Sequence, residues 1–524
     1  MSSQKSRPSH DGEIAAAIGK STFFGVLASG AQIGTRLITV PVVIHHLGLD
    51  GSGIWSIIMV TAAYMRFGSA GVKSAFQKYV AEATETGSFA DARRLISTGS
   101  IAMLAISLFA LLPVAFFAPF LASAASIPKD FLHSAAASIT VLASIYAVSN
   151  FGAGYEAIVM GAHRVDLTRK YNTALTVCEA IAIVAVLRAG HGLLAMTLVM
   201  GTSELIYIGA CYRASLRVLP QVRILASEFS WGAFPELFRF AGSYQLVNVL
   251  ELLYTAVLPI FVLKFFGAGA AGMFALSGRV VQAALTAQDA LVLPILSGGS
   301  AIFASGSTER IRRLLATSFK ATLAAALPAL AFVAAFGNTL VYAWTGETDS
   351  RFQTTIWWIA MAALLKAISL LQLILYRASG QALLDNIRQL LRIAVIAVTF
   401  SYGARIGFDG VLAGMVAAEL VGVIFMFFAM STALHAFDGR ALALDALKIS
   451  AATAVMLVGG ASLGLAPVPW SAHGRVAAVL KLGELALGCL IATWPALALT
   501  GVLSVSERRT LWHTFRHRSS AVAA

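Results

Sequence analysis

Leu47-Gly48-Leu49-Asp50-Gly51-Ser52-Gly53-Ile54-Trp55 recurs in outline as Phe266-Gly267-Ala268-Gly269-Ala270-Ala271-Gly272-Met273-Phe274, 219 residues further along the chain. The same offset relates Arg93-Arg94-Leu95 to Arg312-Arg313-Leu314, Gly161 to Gly380, Arg169 to Arg388 and Lys20 to Arg239. Glycine is common here, so single matches mean little. One ungapped offset shared by all of them means two halves of similar plan, head to tail. Nearly everything between the matched residues is apolar, and duplicated bundles of membrane helices are the usual architecture of secondary transporters.

Composition sets the class. Of 524 residues, 58% are hydrophobic and 12% charged, with a mean hydropathy of +0.80. Soluble domains carry roughly 25% charged residues, so this chain belongs in a bilayer. Cys178, Cys211 and Cys489 fall inside apolar runs without metal-ligand spacing and read as small packing residues. The first twenty residues are polar and lack a signal-peptide cleavage pattern, so the first helix is expected to stay as an anchor.

A spanning helix needs roughly 20 mostly apolar residues. Fourteen such runs can be placed: 21–45, 52–74, 96–120, 132–160, 171–188, 192–213, 240–264, 272–300, 317–340, 354–376, 385–405, 410–434, 447–466 and 475–503. With the N-terminus inside, Lys and Arg concentrate in alternate loops, as the positive-inside rule requires. Lys73, Lys78, Arg93 and Arg94 share one inside segment, and Arg377, Arg388 and Arg392 another. The net charge of +13 is thus spread over separate inside segments, which excludes a nucleic-acid patch. Both termini are expected in the cytoplasm.

Each half holds six helices, an even number, so the repeat is parallel. The expected organisation is an N-lobe at 1–217, an interfacial linker at 218–239, a C-lobe at 240–436, and two additional helices with a basic cytoplasmic tail at 437–524. The segment Gln77 to Arg94 is expected to be amphipathic as well. Pro41, Pro259, Pro294 and Pro328 are expected kink points.

Charges at membrane depth are costly and face a cavity or a partner. Tyr244, Asn248, Glu251 and Thr255 share one helix face by their spacing; shifted by the repeat, they align with Gly25, Ser29, Gln32 and Arg36. Arg279, Gln282, Thr286 and Asp289 form another stripe, and Lys366 stands on the tenth helix. Glu251 and Lys366 lie about 18 Å from either end of their spans, and Arg36 about 14 Å deep, too far to snorkel. Arg66 and Arg279 are nearer an end. Glu179, Glu204, Glu419 and Glu484 are single acids on apolar helices, for which packing or pairing is the expected role. His45 and His46 are adjacent and point to different faces, against a metal site. No phosphate-binding loop and no catalytic constellation appears, so neither an ATP-driven pump nor an enzyme is expected, and no cofactor.

The glycine-aromatic stretches above, together with Lys20, Gly68…Gly71, Gln77-Lys78-Tyr79-Val80, Met160-Gly161-Ala162-His163-Arg164, Ala275-Leu276 and Leu293-Pro294-Ile295-Leu296, carry a resemblance. In order and spacing they resemble the polysaccharide transport branch of the multidrug/oligosaccharidyl-lipid/polysaccharide (MOP) flippase superfamily, over about residues 20 to 503.

The resemblance implies an all-α, V-shaped bundle of two parallel six-helix lobes around a cavity, plus two extra helices. It implies a flippase moving an undecaprenyl-diphosphate-linked oligosaccharide to the outer leaflet of the bacterial inner membrane, for O-antigen, capsule or exopolysaccharide synthesis. Membrane lipids and the polymerase and export machinery would be its partners. In lipid II flippases basic residues on the first, second and eighth helices meet the diphosphate; Arg36, Arg66 and Arg279 sit on those helices here. Arg36, Arg66, Arg279, Lys366, Gln32, Asn248 and Gln282 are therefore the candidate substrate contacts. Glu251 and Asp289 are the candidate coupling or ion-pair acids. In that related branch the thirteenth and fourteenth helices form a groove for the polyprenyl tail, a role open to 447–503. The rival within the superfamily is a cation-coupled drug exporter, which usually has an acid on the first helix; none lies between Glu13 and Asp50. The rival from another class is a non-transporting subunit of an envelope assembly.

Overall fold

A computed structural model describes residues 10–124, 127–304, 308–378, 382–434, 439–462 and 474–500. Among them the chain is helical, with no strand. The helices are α1 (His10–Thr86), α2 (Phe89–Ala124), α3 (Lys129–Gly161), α4 (Val165–Arg188), α5 (Leu193–Val218) and α6 (Phe234–Ala304). Then follow α7 (Thr308–Thr345), α8 (Arg351–Ala378), α9 (Ala382–Ile406), α10 (Phe408–Leu434), α11 (Gly439–Ser462) and α12 (Gly474–Leu499).

The two longest helices explain how twelve elements meet fourteen expected spans. α1 is broken at Gly48 (φ 69°, ψ 177°) and α6 at Gly267 (φ 85°, ψ 176°). These dihedrals are essentially open only to glycine. Gly48 and Gly267 are one of the repeated pairs, so the repeat is present in the backbone as well as in the letters. α2 and α7 also begin one offset apart, at Phe89 and Thr308. Pro41, Pro259 and Pro328 lie within helix, and the dihedrals leave the helical region at Gly48, Gly267 and Phe336.

Eleven stretches among the described residues are long and apolar enough to cross a bilayer. α9 is not among them; its first half carries Asp385, Arg388 and Arg392.

The chain divides into two compact units, Met1–Ala275 and Leu276–Ala524, with the division inside α6. In the first unit α3 packs on α1, α2 and α5, and α4 packs on α1 and α5. In the second, α8 packs on α7 and α10, and α10 on α9. The pairs α2–α3, α3–α5 and α4–α5 thus reappear as α7–α8, α8–α10 and α9–α10. α11 and α12 stand outside this scheme and pack on each other and on α7.

Within the first unit the two glycine elbows touch. A Cβ built on Gly53 would lie 2.3 Å from the Ala268 oxygen and 2.6 Å from the Gly272 nitrogen. One built on Gly272 would lie 2.1 Å from the Leu49 oxygen. Leu49 and Ala268 are themselves one repeat offset apart, so the contact is reciprocal, as a local two-fold requires.

The linker is shorter than expected and is held by protein. Two 3-10 turns, Ala226–Glu228 and Trp231–Ala233, lead directly into α6, whose Phe234-Pro235 start suits a proline in the first helical turn. Leu225 N–H donates to Ser97 Oγ (3.1 Å), Ser230 N–H to Thr98 Oγ1 (3.0 Å), and Arg93 pairs with Glu228 at 2.8 Å. Beneath this strap lies a buried cluster including Phe76, Val80, Leu95, Ile158 and Val222. The apolar side of the Gln77–Arg94 segment, expected to be an amphipathic surface, is therefore covered by protein at Val80, Ala83 and Ala92.

Candidate functional site

The predicted residues divide into those left uncovered by protein and those partly covered. On the first arm of α1, Gln32 and Arg36 are exposed, one turn apart. Ile33, Leu37 and Ile38 beside them are exposed too, so this arm is broadly uncovered. Neighbouring hydroxyls are satisfied locally, Thr35 Oγ1 on the Gln32 carbonyl (3.1 Å) and Thr39 Oγ1 on the Thr35 carbonyl (2.9 Å). On α6, Glu251 is half-buried and Thr255 exposed, with Thr255 Oγ1 donating to the Glu251 carbonyl at 2.9 Å. Further along α6, Arg279 is half-buried while Gln282 and Thr286 are exposed. Lys366 on α8 is exposed. The side chains of Arg66, Tyr244, Asn248 and Asp289 lie outside the described residues.

Two residues read as inside-loop charges are differently placed. Arg388 and Arg392 are buried on α9, and Arg392 has no exposed surface at all. Arg388 Nη2 is 2.8 Å from Asp385 Oδ1. Arg392 donates to Gln389 Oε1 (2.5 Å) and pairs with Glu419 of α10. Gly422, one turn beyond Glu419, lets the Arg392 stem lie against α10. These charges neutralise each other inside the second unit and cannot serve as headgroup-facing charges, because a buried guanidinium persists only with its carboxylate. Glu419 thus takes the pairing role expected of it. Glu484 likewise pairs with Lys481, at 3.4 Å.

The first unit holds a polar cavity that sequence reading did not assemble. It encloses about 50 Å³, room for a few waters. Lys73, Ser149, Glu156, Glu204, Tyr207 and Cys211 line it, from α1, α3 and α5. Lys73 Nζ is 2.6 Å from Glu156 Oε2. Ser149 Oγ donates to Glu204 Oε1. A signal existed: Ser149, Gly152 and Glu156 fall on one face of α3, and Glu204, Tyr207 and Cys211 on one face of α5. Nothing in the chain says that these two faces meet. Nearby, Asn150 Nδ2 donates to the Met65 carbonyl (2.6 Å) and to Ser107 Oγ (2.7 Å), tying α3 to α1 and α2. Among the described residues no group of His, Cys, Asp or Glu is arranged to hold a metal.

Comparison with solved structures places this architecture. A lipid II flippase, MurJ, in an inward closed conformation superposes with a TM-score of 0.70 over 91% of this chain and 99% of its own, at 14% identity. A multidrug resistance MATE family transporter in an inward-facing conformation matches with a TM-score of 0.65, over 78% of this chain and 98% of its own, at 13% identity. A MOP superfamily transporter from Pyrococcus furiosus matches with a TM-score of 0.57 over 83% of this chain and 96% of its own, at 13% identity. No curated protein matches. The fold defines a class: a multi-pass membrane protein built like the transporters of the MOP superfamily. The family model described as "Polysaccharide biosynthesis protein" matches residues 53–350, more than half of the chain. The chain belongs to that polysaccharide biosynthesis family.

Proposed function

We propose that this protein is a flippase that carries a polyprenyl-diphosphate-linked oligosaccharide from the cytoplasmic to the outer leaflet of a bacterial inner membrane, by alternating access. The observation that carries the reading is the conjunction of a polysaccharide biosynthesis family with the fold of a lipid II flippase. The duplicated segments, 1–217 and 240–436, are the alternating halves, joined through 218–239, and 437–524 is the added pair of helices with its tail.

Residue chemistry supports the choice of an anionic head group. Arg36 and Lys366 are exposed on their helices, at depths where a cation is costly and calls for an anion or water. An arginine fork suits a diphosphate. Arg36, Arg66, Arg279 and Lys366 are assigned to the diphosphate and sugar acids, with Gln32, Asn248 and Gln282 as hydrogen-bonding contacts. Glu251 and Asp289 are assigned to coupling or to pairing with those cations.

The test replaces Arg36, Glu251 and Lys366 individually by Ala in the native host. Surface glycan should fall and the lipid-linked intermediate should accumulate in the cytoplasmic leaflet. Full export at normal protein level in all three variants would overturn the site. Lipid analysis of a deletion strain would identify the cargo, and a strain that accumulates no polyprenyl-linked glycan would overturn the function.

A further inference from the structure

The strap between α5 and α6 has two unlike sides. Val222 and Ala233 are buried in the cluster beneath it, and Ile224 packs against that cluster. Arg223 and Leu225, which alternate with Val222 and Ile224, are exposed. Trp231 is 76% exposed. Its ring is flanked by those of Phe229 and Phe234, with centroids 5.1 and 6.2 Å away. A large ring braced by two others and still open is placed for contact outside the chain.

The height of the strap selects the partner. Leu225 N–H donates to Ser97 Oγ, which donates to the Arg223 carbonyl (3.4 Å), and Ser230 N–H donates to Thr98 Oγ1. Ser97 and Thr98 open the apolar run 96–120 of α2, and Arg93 and Arg94 stand one turn before them. The strap is therefore tied to α2 where polar sequence gives way to apolar, the level at which headgroups meet acyl chains. Irregular backbone at such a level needs its polar groups bonded, and the two hydroxyls of α2 do this. Tryptophan concentrates at the same level, because its ring is apolar and its N–H is not.

Charge narrows the choice further. Arg93 is neutralised by Glu228 at 2.8 Å. Arg94 meets Asp91 at 3.7 Å, with 48% and 70% of the two side chains exposed, an open pair of little strength. Thr98 Oγ1 donates to the Arg94 carbonyl (2.7 Å), so Arg94 stands one turn from the bond to Ser230. Arg223 donates one N–H to the Pro220 carbonyl (3.1 Å) and is exposed. A guanidinium has five N–H donors in a fork that fits a phosphate.

We propose that residues 223–234, with Arg94, form a binding surface for anionic phospholipid in the leaflet on the side of the basic loops. Trp231 inserts at the glycerol level, and Arg94 and Arg223 hold the phosphates. This surface depends on the orientation of the chain and not on the flippase reading.

The test uses the full-length protein in nanodiscs of phosphatidylcholine and phosphatidylglycerol. The chain has eight tryptophans, so the emission of Trp231 is read as the difference between wild type and Trp231→Phe. Lipid brominated high on its acyl chains should quench that difference, and lipid brominated near the chain ends should quench it less. A difference that no brominated lipid quenches overturns the surface and leaves the ring to a soluble partner; stronger quenching from the chain ends overturns it too. Native mass spectrometry of the retained phosphatidylglycerol reads the arginines. Arg94→Gln and Arg223→Gln should each weaken retention about fivefold. Arg169→Gln and Lys170→Gln, exposed near the start of α4, should leave it unchanged. Equal loss in all four variants, or loss in none, overturns the assignment of the phosphates. Should an arginine variant fail to give monodisperse protein, the wild type is measured across salt concentrations. Release of phosphatidylglycerol as salt rises supports the assignment, and retention indifferent to salt overturns it.

Discussion

Replacing Gly53 by Ala tests the contact between the two glycine elbows, and with it the structural meaning of the repeat. The new methyl would sit 2.3 Å from the Ala268 oxygen and 2.6 Å from the Gly272 nitrogen, where ordinary contact begins near 3.4 Å. Both obstacles are backbone, so no rotamer change relieves them, and the two segments must part by about 1 Å. Overpacking of this kind costs about 1–3 kcal/mol. Against it stands the gain of Ala over Gly inside a helix, about 1 kcal/mol. Gly209 on α5 isolates that gain, because a Cβ there meets nothing within 4 Å. Gly209→Ala should therefore be neutral or stabilising, and Gly53→Ala should fall about 2 kcal/mol below it. Gly272→Ala should behave like Gly53→Ala, with its methyl 2.1 Å from the Leu49 oxygen. The double variant should cost less than the sum, since the first methyl has already parted the backbones. Thermal unfolding of the detergent-purified protein reads all four variants. A Gly53→Ala midpoint equal to that of Gly209→Ala would refute the contact, and strict additivity would refute its reciprocity.

Three further outcomes are expected. Gly48→Ala and Gly267→Ala should each lose about 1–3 kcal/mol through strain at positive φ, measured by the same unfolding assay, although a Cβ meets nothing within 4 Å at either position. Glu419→Ala, which strands the fully buried Arg392, should cost about 3–5 kcal/mol, whereas Glu419→Leu with Arg392→Met should restore most of the stability; expression level and unfolding temperature check both. Ser97→Ala, which removes the acceptor of the Leu225 N–H, should cost about 1–2 kcal/mol and open 219–233 to limited proteolysis while the helices remain protected.

The membrane class and the duplication were legible in the sequence because both are written along the chain. An apolar run long enough to span a bilayer is a local property. So is a repeated glycine: Gly48 and Gly267 are legible as a matched pair, while their positive φ belongs to the backbone of the folded chain. Pairing at Glu419 was also foreseeable, since an acid on an apolar helix needs a partner. Its partner was not. Arg392 reads as a loop cation because it falls near the start of an apolar run, and its burial depends on how α9 is rotated against α10. The cavity follows the same logic: Lys73, Ser149, Glu156 and Glu204 lie on three helices, and only their packing brings them together. What the sequence by itself determined is the number and kind of helices and the fact of their repetition, because length and periodicity act along one strand of chain. Which charges meet, which stay uncovered, and where water can enter were decided by the tertiary structure alone. Those outcomes turn on the rotation of each helix about its axis, which is set by long-range packing.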